Sequence, residues 1–183
     1  GAQDMSCGYL LTTELIVIRM ISQLAGLDEK KTGGIFTFGG KSTNLHALKH
    51  GLQRTFPDSV NKGIHGEVVT FSSKQGHPCH SEVCGWLGIG KDSCIRISTN
   101  EMGEIDLIEL ESRMREVLDE GKRIALITAN GGTTIQMTID PIKEIVELRD
   151  RLAKEYHLDY KPRVHVDSVI GWSDDFYPTW SDD

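Results

Sequence analysis

The residue whose placement most demands a chemical explanation is Asp167, which ends the apolar run Val164-His165-Val166-Asp167. A carboxylate at the exit of a buried strand needs a partner, because an unpaired charge in apolar surroundings is costly. A turn amide, a nearby arginine or lysine, or a protonated ring nitrogen would each serve. His165 is placed to support Asp167 rather than to act alone. In Phe38-Gly39-Gly40-Lys41-Ser42-Thr43-Asn44, two glycines lead into a helix that opens with hydroxyl residues. Backbone that can approach closely, together with the unpaired amides of a helix start, makes a cradle for an anion such as phosphate. A tight turn followed by an ordinary Ser/Thr cap would read the same way. The spacing is neither G-x-x-x-x-G-K-[ST] nor G-x-G-x-x-G. His77, in Gly76-His77-Pro78-Cys79-His80, could stack on a flat ring, move a proton, or be a plain loop histidine, and chemistry alone does not choose between it and His80. Gly131-Gly132-Thr133-Thr134 offers close approach and hydroxyl donors. Asp140 precedes Pro141 and suits the N-cap of the helix that Pro141 begins, a role compatible with ligand proximity.

The elements that must carry these residues alternate. Helices are expected over 13–24, 42–56, 81–87, 106–120 and 141–156, and strands over 34–38, 67–71, 94–97, 123–128 and 163–169, with a mobile polar loop over 61–66. In the 106–120 segment Leu107, Leu110, Met114, Val117 and Leu118 recur at helical spacing. Alternating strands and helices predict α/β units on a mainly parallel sheet. Such sheets bind ligands beyond the carboxyl ends of their strands. The four polar or glycine-rich places, 39–42, 73–77, 130–134 and 167–171, all fall just after expected strands.

The totals exclude several alternatives. A chain of 183 residues supports one sizeable domain, and its net charge of −7 gives nucleic-acid binding little support. No apolar run reaches the ~20 residues of a membrane span. Gly1 to Cys7 lack the basic-then-apolar plan of a signal peptide. Four cysteines, at 7, 79, 84 and 94, form neither a CxxC pair nor a zinc-like spacing, so free thiols in a reducing compartment, the cytoplasm, are expected. There is no HExxH or EF-hand pattern, and no metal site is predicted.

Taken in order, the run 32–48, the S-x-x-x-H segment from Ser73 to His77 with Leu87-Gly88-Ile89-Gly90 after it, the segment from Asn130 to Pro141, and Val164 to Gly171 resemble the large domain of group II pyridoxal-phosphate (PLP) dependent decarboxylases, the glutamate and aromatic-amino-acid decarboxylase family. The likeness runs over roughly residues 10 to 172. It implies the type I PLP-enzyme (aspartate-aminotransferase-like) large domain, incomplete here, a homodimer, and an intact protein that decarboxylates an amino acid to its amine and CO2. By position it places Gly40, Lys41 and Ser42 at the cofactor phosphate, His77 rather than His80 stacked on the ring, Thr134 beside ring and substrate, Asp140 near the cofactor, Asp167 on the pyridine nitrogen with His165 orienting it, and Val169 under the ring. His77 and Thr134 are the implied catalytic residues. The chain departs from the pattern at Lys41, where the family has Ser or Thr, at Ser42, where it has Glu, and at Ser168-Val169, where it has two alanines. The family's covalent lysine follows the H-V-D strand, and no lysine lies beyond Lys161. A fragment without that lysine and without the small C-terminal domain, inactive alone, is therefore expected. Another type I PLP lyase (a carbon–carbon lyase or desulfurase) and a non-catalytic PLP-binding paralogue or scaffold are the alternatives.

Overall fold

The computed structural model describes residues 2–172, with side chains from Gly8 onward. Residues up to Phe38 form one unit and Gly39–Trp172 a second. The first unit is helix α1 (Ala2–Leu24) followed by irregular chain. The helix starts well before the expected position and carries non-helical geometry at Gly8. The strand expected over 34–38 does not form. Residues 34–38 are irregular chain, and the Phe36 amide donates to Glu14 Oε1 at 2.6 Å. β-Propensity is a weak signal that context overrides.

The second unit runs α2 (Gly40–Thr55), α3 (Ser59–Lys62), β1 (Val68–Ser73), α4 (Cys79–Trp86), β2 (Cys94–Ile97), α5 (Leu107–Asp119), β3 (Arg123–Asn130), α6 (Ile142–Glu155) and β4 (Arg163–Asp167). The short helix α3 falls partly where a loop was expected, and α2 and α4 each begin two residues early. The four strands form one parallel sheet in the order β2-β1-β3-β4. Because β2 lies on one side of β1 and β3 on the other, the chain reverses direction between β1 and β3. A crevice opens at the carboxyl ends of such a pair.

Both faces of the sheet are covered, which explains strands that read as near-continuous apolar runs. One face packs Val69, Phe71, Ile124 and Ile127 against Leu110, Met114, Ile145 and Leu152 from α5 and α6. The other packs Val68, Ala125 and Leu126 against Leu48 and Leu52 of α2 and Val83 and Cys84 of α4. The β1–β3 register steps from Val69↔Ile124 to Thr70↔Leu126, leaving Ala125 as a bulge. Helix α5 is capped by Asp106, whose side chain accepts from the Ile108 and Glu109 amides. Glu111 accepts from Arg115 and Arg151, and Arg115 also binds Glu155, so α5 and α6 are tied at the surface.

Candidate functional site

Helix α2 begins at the exit of a tight turn. Gly39 has φ 80°, a backbone region that side chains avoid, and no side chain caps the helix. Its first amides, at Gly40 and Lys41, therefore point out of the helix end as donors for an anion. Starting at Gly40 puts residues 40, 41 and 44 on one side, and all three line a cavity of about 380 Å³. This is within the size range of small-molecule sites. Ser42 is not among the residues that line the cavity.

Loops after β1 and β3 supply further walls. Gln75, His77 and Cys79 come from the first, Asn130, Gly132, Thr133 and Thr134 from the second, and Asp167, Val169 and Ile170 from the exit of β4. Gly40, Lys41, His77, Thr134, Asp167 and Val169, expected from the sequence, thus share one cavity. His77 is exposed at its rim, and its Nδ1 accepts from the Cys79 amide at 3.1 Å. Arg96, which the sequence did not single out, fixes this loop by donating to the carbonyls of Lys74, Gly76 and His77. Lys41 is already engaged, donating to Glu82 at 2.8 Å, an ion pair that raises the lysine's pKa and lowers the glutamate's.

Asp167 is the centre of the polar constellation. Its Oδ2 accepts from His80 Nε2 at 2.9 Å and from Asn44 Nδ2 at 3.1 Å, and Oδ1 takes part in neither bond. The hydrogen bond from His80 is the largest cause holding the carboxyl below its usual range, Asn44 adds to it, and burial opposes both. Asn44 is itself buried, with Oδ1 enclosed and unpartnered. Burial, with Asp167 nearby, pushes the Cys79 thiol up to about 11. Cys79 Sγ, His80 Nε2 and an Asp167 oxygen lie within 4.8 Å of one another, a set of metal-ligand type that their spacing along the chain conceals.

Two expected roles are corrected. His165 does not orient Asp167, since the bonds come from α2 and α4. At i and i+2 of β4 the two side chains stand side by side off the same face rather than pointing at each other. His165 Nε2 is enclosed without a partner, and burial lowers its pKa to about 4. Asp140 does not cap α6, whose N-cap is Pro141. It is buried and accepts from the Ile105 amide at 2.7 Å, the Asn130 amide at 2.6 Å and Asn130 Nδ2 at 2.8 Å. It stands outside the cavity lining and acts through Asn130, which is in it. Desolvation nonetheless raises its pKa.

Asn130 pairs in register with Asp167 across β3 and β4. Beyond it the glycine loop folds tightly: Gly131 donates to the Asp167 carbonyl at 2.8 Å, and its own carbonyl accepts from Ser168 Oγ and the Gly171 amide. A side chain at Gly131 would sit 2.4 Å from Ser168 Oγ, so only glycine lets the two strand exits approach. A second cavity, about 570 Å³, lies at the amino end of β1 beside Lys49, Glu67 and Gly88.

Comparison with known proteins places this geometry. A family model described as the pyridoxal-dependent decarboxylase conserved domain matches residues 8–173. The acidic amino acid decarboxylase GADL1 of Bos taurus is 30% identical over 158 residues, covering 85% of this chain and 30% of that protein. The Homo sapiens counterpart is 28% identical over the same length. Among solved structures, mouse CSAD superposes with TM-score 0.81 at 24% identity, over 94% of this chain and 35% of that one. Oryza sativa TDC with PLP and tryptamine gives 0.77 at 19% identity, over 90% and 34%. The sheet and its helices therefore have the fold of those proteins, and the chain spans about a third of their length.

Proposed function

Because the chain belongs to the pyridoxal-dependent decarboxylase family, we propose that it holds pyridoxal phosphate in the 380 Å³ cavity and is the cofactor-binding part of an enzyme that decarboxylates an amino acid. The observation carrying this reading is the ionised Asp167 on one wall, facing a space that begins at the uncapped amino end of α2. The donor set suits the cofactor. The Gly40 and Lys41 amides meet a phosphate, the Asp167 carboxylate meets a ring nitrogen, and the enclosed, unpartnered Asn44 Oδ1 marks a polar wall that the chain leaves unsatisfied. When bound, the cofactor supplies an electron-withdrawing ring that accepts the pair released as a carboxylate leaves.

The chain's residues do the rest. Asp167 keeps the ring nitrogen protonated by staying ionised itself. His77, at the rim, covers the ring and limits water, and Thr134 offers a hydroxyl beside the substrate. With the cofactor bound, Val169 would pack against its ring, since it lines the cavity with Cγ2 3.7 Å from where a Gly40 side chain would begin. Glu82 holds Lys41, so a phosphate recruits this lysine only by competing with that carboxylate. Asp140 fixes Asn130, and the Ser42 amide donates to the Gly39 carbonyl at 3.1 Å in the turn that opens α2. The substrate is an amino acid, in keeping with the acidic amino acid in the name of GADL1. The same reading makes residues 1–183 part of the large domain of a homodimer in a reducing compartment such as the cytoplasm. The free thiols at Cys79, Cys84 and Cys94 suit that setting, and among the described residues no helix is long and apolar enough to cross a membrane.

Pyridoxamine 5'-phosphate is the probe for a test, because it lacks the aldehyde that would react with surface lysines. Equilibrium dialysis is expected to show saturable binding that Asp167→Asn weakens about tenfold or more, the scale of a lost hydrogen bond to a charged group. Absence of saturable binding, or full binding by the Asn variant, would overturn the reading.

A further inference from the structure

We infer that His80 is the positioning residue of the site: from inside helix α4, its Nε2–H pins one oxygen of Asp167 so that the other is presented to a cationic ring nitrogen. The inference rests on the cofactor reading and deepens it.

The geometry is specific. The His80 and Asp167 side chains are 2% and 14% exposed, and their 2.9 Å contact is sheltered from water. Asn44 Nδ2 reaches the same oxygen from α2, so two donors on different helices converge on Oδ2. A carboxylate held on one oxygen by two fixed donors cannot rotate freely, and this sets the direction of Oδ1. The imidazole is held in turn. A side chain at Gly76 would come within 3.0 Å of both His80 Nδ1 and Cε1, so the ring fills the space that this glycine leaves. Arg96 anchors the Gly76 turn through its carbonyl at 2.6 Å.

His80 also carries a cost that simple packing would avoid. Its Nδ1 is enclosed without a hydrogen-bond partner. An apolar side chain would fill the same place with no orphaned atom, and buried polar atoms left unpaired are destabilising. What the histidine adds over a leucine is the bond to Asp167. His77, three residues earlier and exposed at the rim, makes no such bond, so the two histidines divide the work between ring face and carboxylate.

The test reads the carboxylate directly. Asp167 is followed by carboxyl carbon NMR in the chain without ligand, and binding of pyridoxamine 5'-phosphate is measured alongside. His80→Leu and His80→Met, which fill the space without a donor, are expected to raise the Asp167 titration midpoint by about one unit and to weaken binding about tenfold. His80→Gln, which keeps an N–H on a side chain of similar reach, is expected to recover most of both. A merely structural histidine would lower thermal stability in the Leu and Met variants while leaving the Asp167 midpoint unmoved, and that result overturns the assignment. The two variants guard against one failing to fold. If the midpoint moves but no form of the chain binds the probe, the contact to Asp167 stands and the cofactor reading falls. If all forms bind equally and the midpoint stays fixed, the cofactor reading stands and the role of His80 falls.

Discussion

Asp167 draws its donors from two helices, while its strand neighbour His165 is half-buried with Nε2 enclosed and unbonded. That contrast marks what the sequence could and could not convey about single residues. Positions following strand ends were legible, because a parallel sheet delivers them to one rim, and His77, Thr134, Asp167 and Val169 do meet there, while Gly40 joins them from the start of α2 without a strand before it. The bonds made by Asn44, Arg96 and His80 depend on neighbours far along the chain, so spacing is silent on them. One sign was available: Asn44 lies four residues before the buried Leu48, a polar group on the core-facing side of α2. The lone histidine of β4 has a consequence for pH. Burial is the main cause lowering its pKa, and the facing His80 and Arg163 add to it, while Asp167 opposes them. The result is about 4, against 6.5 for an exposed histidine. Unfolding then takes up a proton between those values, so His165's contribution to stability is complete above pH 6.5 and is lost as pH falls toward 4, by up to about 1.4 kcal/mol per pH unit. Urea unfolding at pH 7, 6 and 5 should show a shallower decline for His165→Gln than for the unaltered chain. Parallel declines would mean that other groups dominate the acid response.

Helix α2 shows how an element is positioned by more than its apolar stripe. Leu48 and Leu52 drive it onto the sheet, as their spacing predicts, but Gly51 sets how closely it lies. A side chain at Gly51 would begin 2.6 Å from the Ala125 carbonyl oxygen. Ala125 is the bulged residue of β3, so its carbonyl departs from the regular ladder on the side where the helix passes. Nothing in the local sequence announces a bulge, and the expected β3 was correspondingly plain. The run at 34–38 is the converse case, in which local propensity was present and the described chain is irregular. Gly51→Ala must therefore push α2 away from β3, because backbone atoms have little room to yield. The expected loss is about 1–3 kcal/mol in denaturant unfolding, the usual scale of overpacking, even though alanine is the better helix former. Since α2 also carries Gly40, Lys41 and Asn44, pyridoxamine 5'-phosphate binding should weaken in the same variant. A neutral or stabilising effect would show that the helix can shift without cost and that Gly51 has no such role.

At the scale of the molecule, the cavity and both core clusters belong to Gly39–Trp172. The alternation of strands and helices made the layered parallel sheet legible, but the order β2-β1-β3-β4, which places the crevice between β1 and β3, is set by pairing between distant segments. Within this unit Phe71, Ile124 and Ile127 are sealed on one face by α5 and α6, and Ala125 and Leu126 on the other by α2 and α4. Among the described residues both clusters are built from Gly39–Trp172, and Leu15, Ile16, Met20 and Leu24 of α1 are largely exposed. Burial of apolar area is the main favourable term in folding, and a sheet covered on both faces has that term without help from outside. Residues 39–172 alone should then unfold in a single cooperative urea transition, with far-UV and near-UV signals coincident, and should still bind pyridoxamine 5'-phosphate, since every lining residue is retained. Removing the exposed apolar side of α1 should also reduce self-association in sedimentation experiments. A broad, non-coincident transition would mean that the sheet depends on segments outside this unit, and the two-sided packing of its core would then be insufficient to account for its stability.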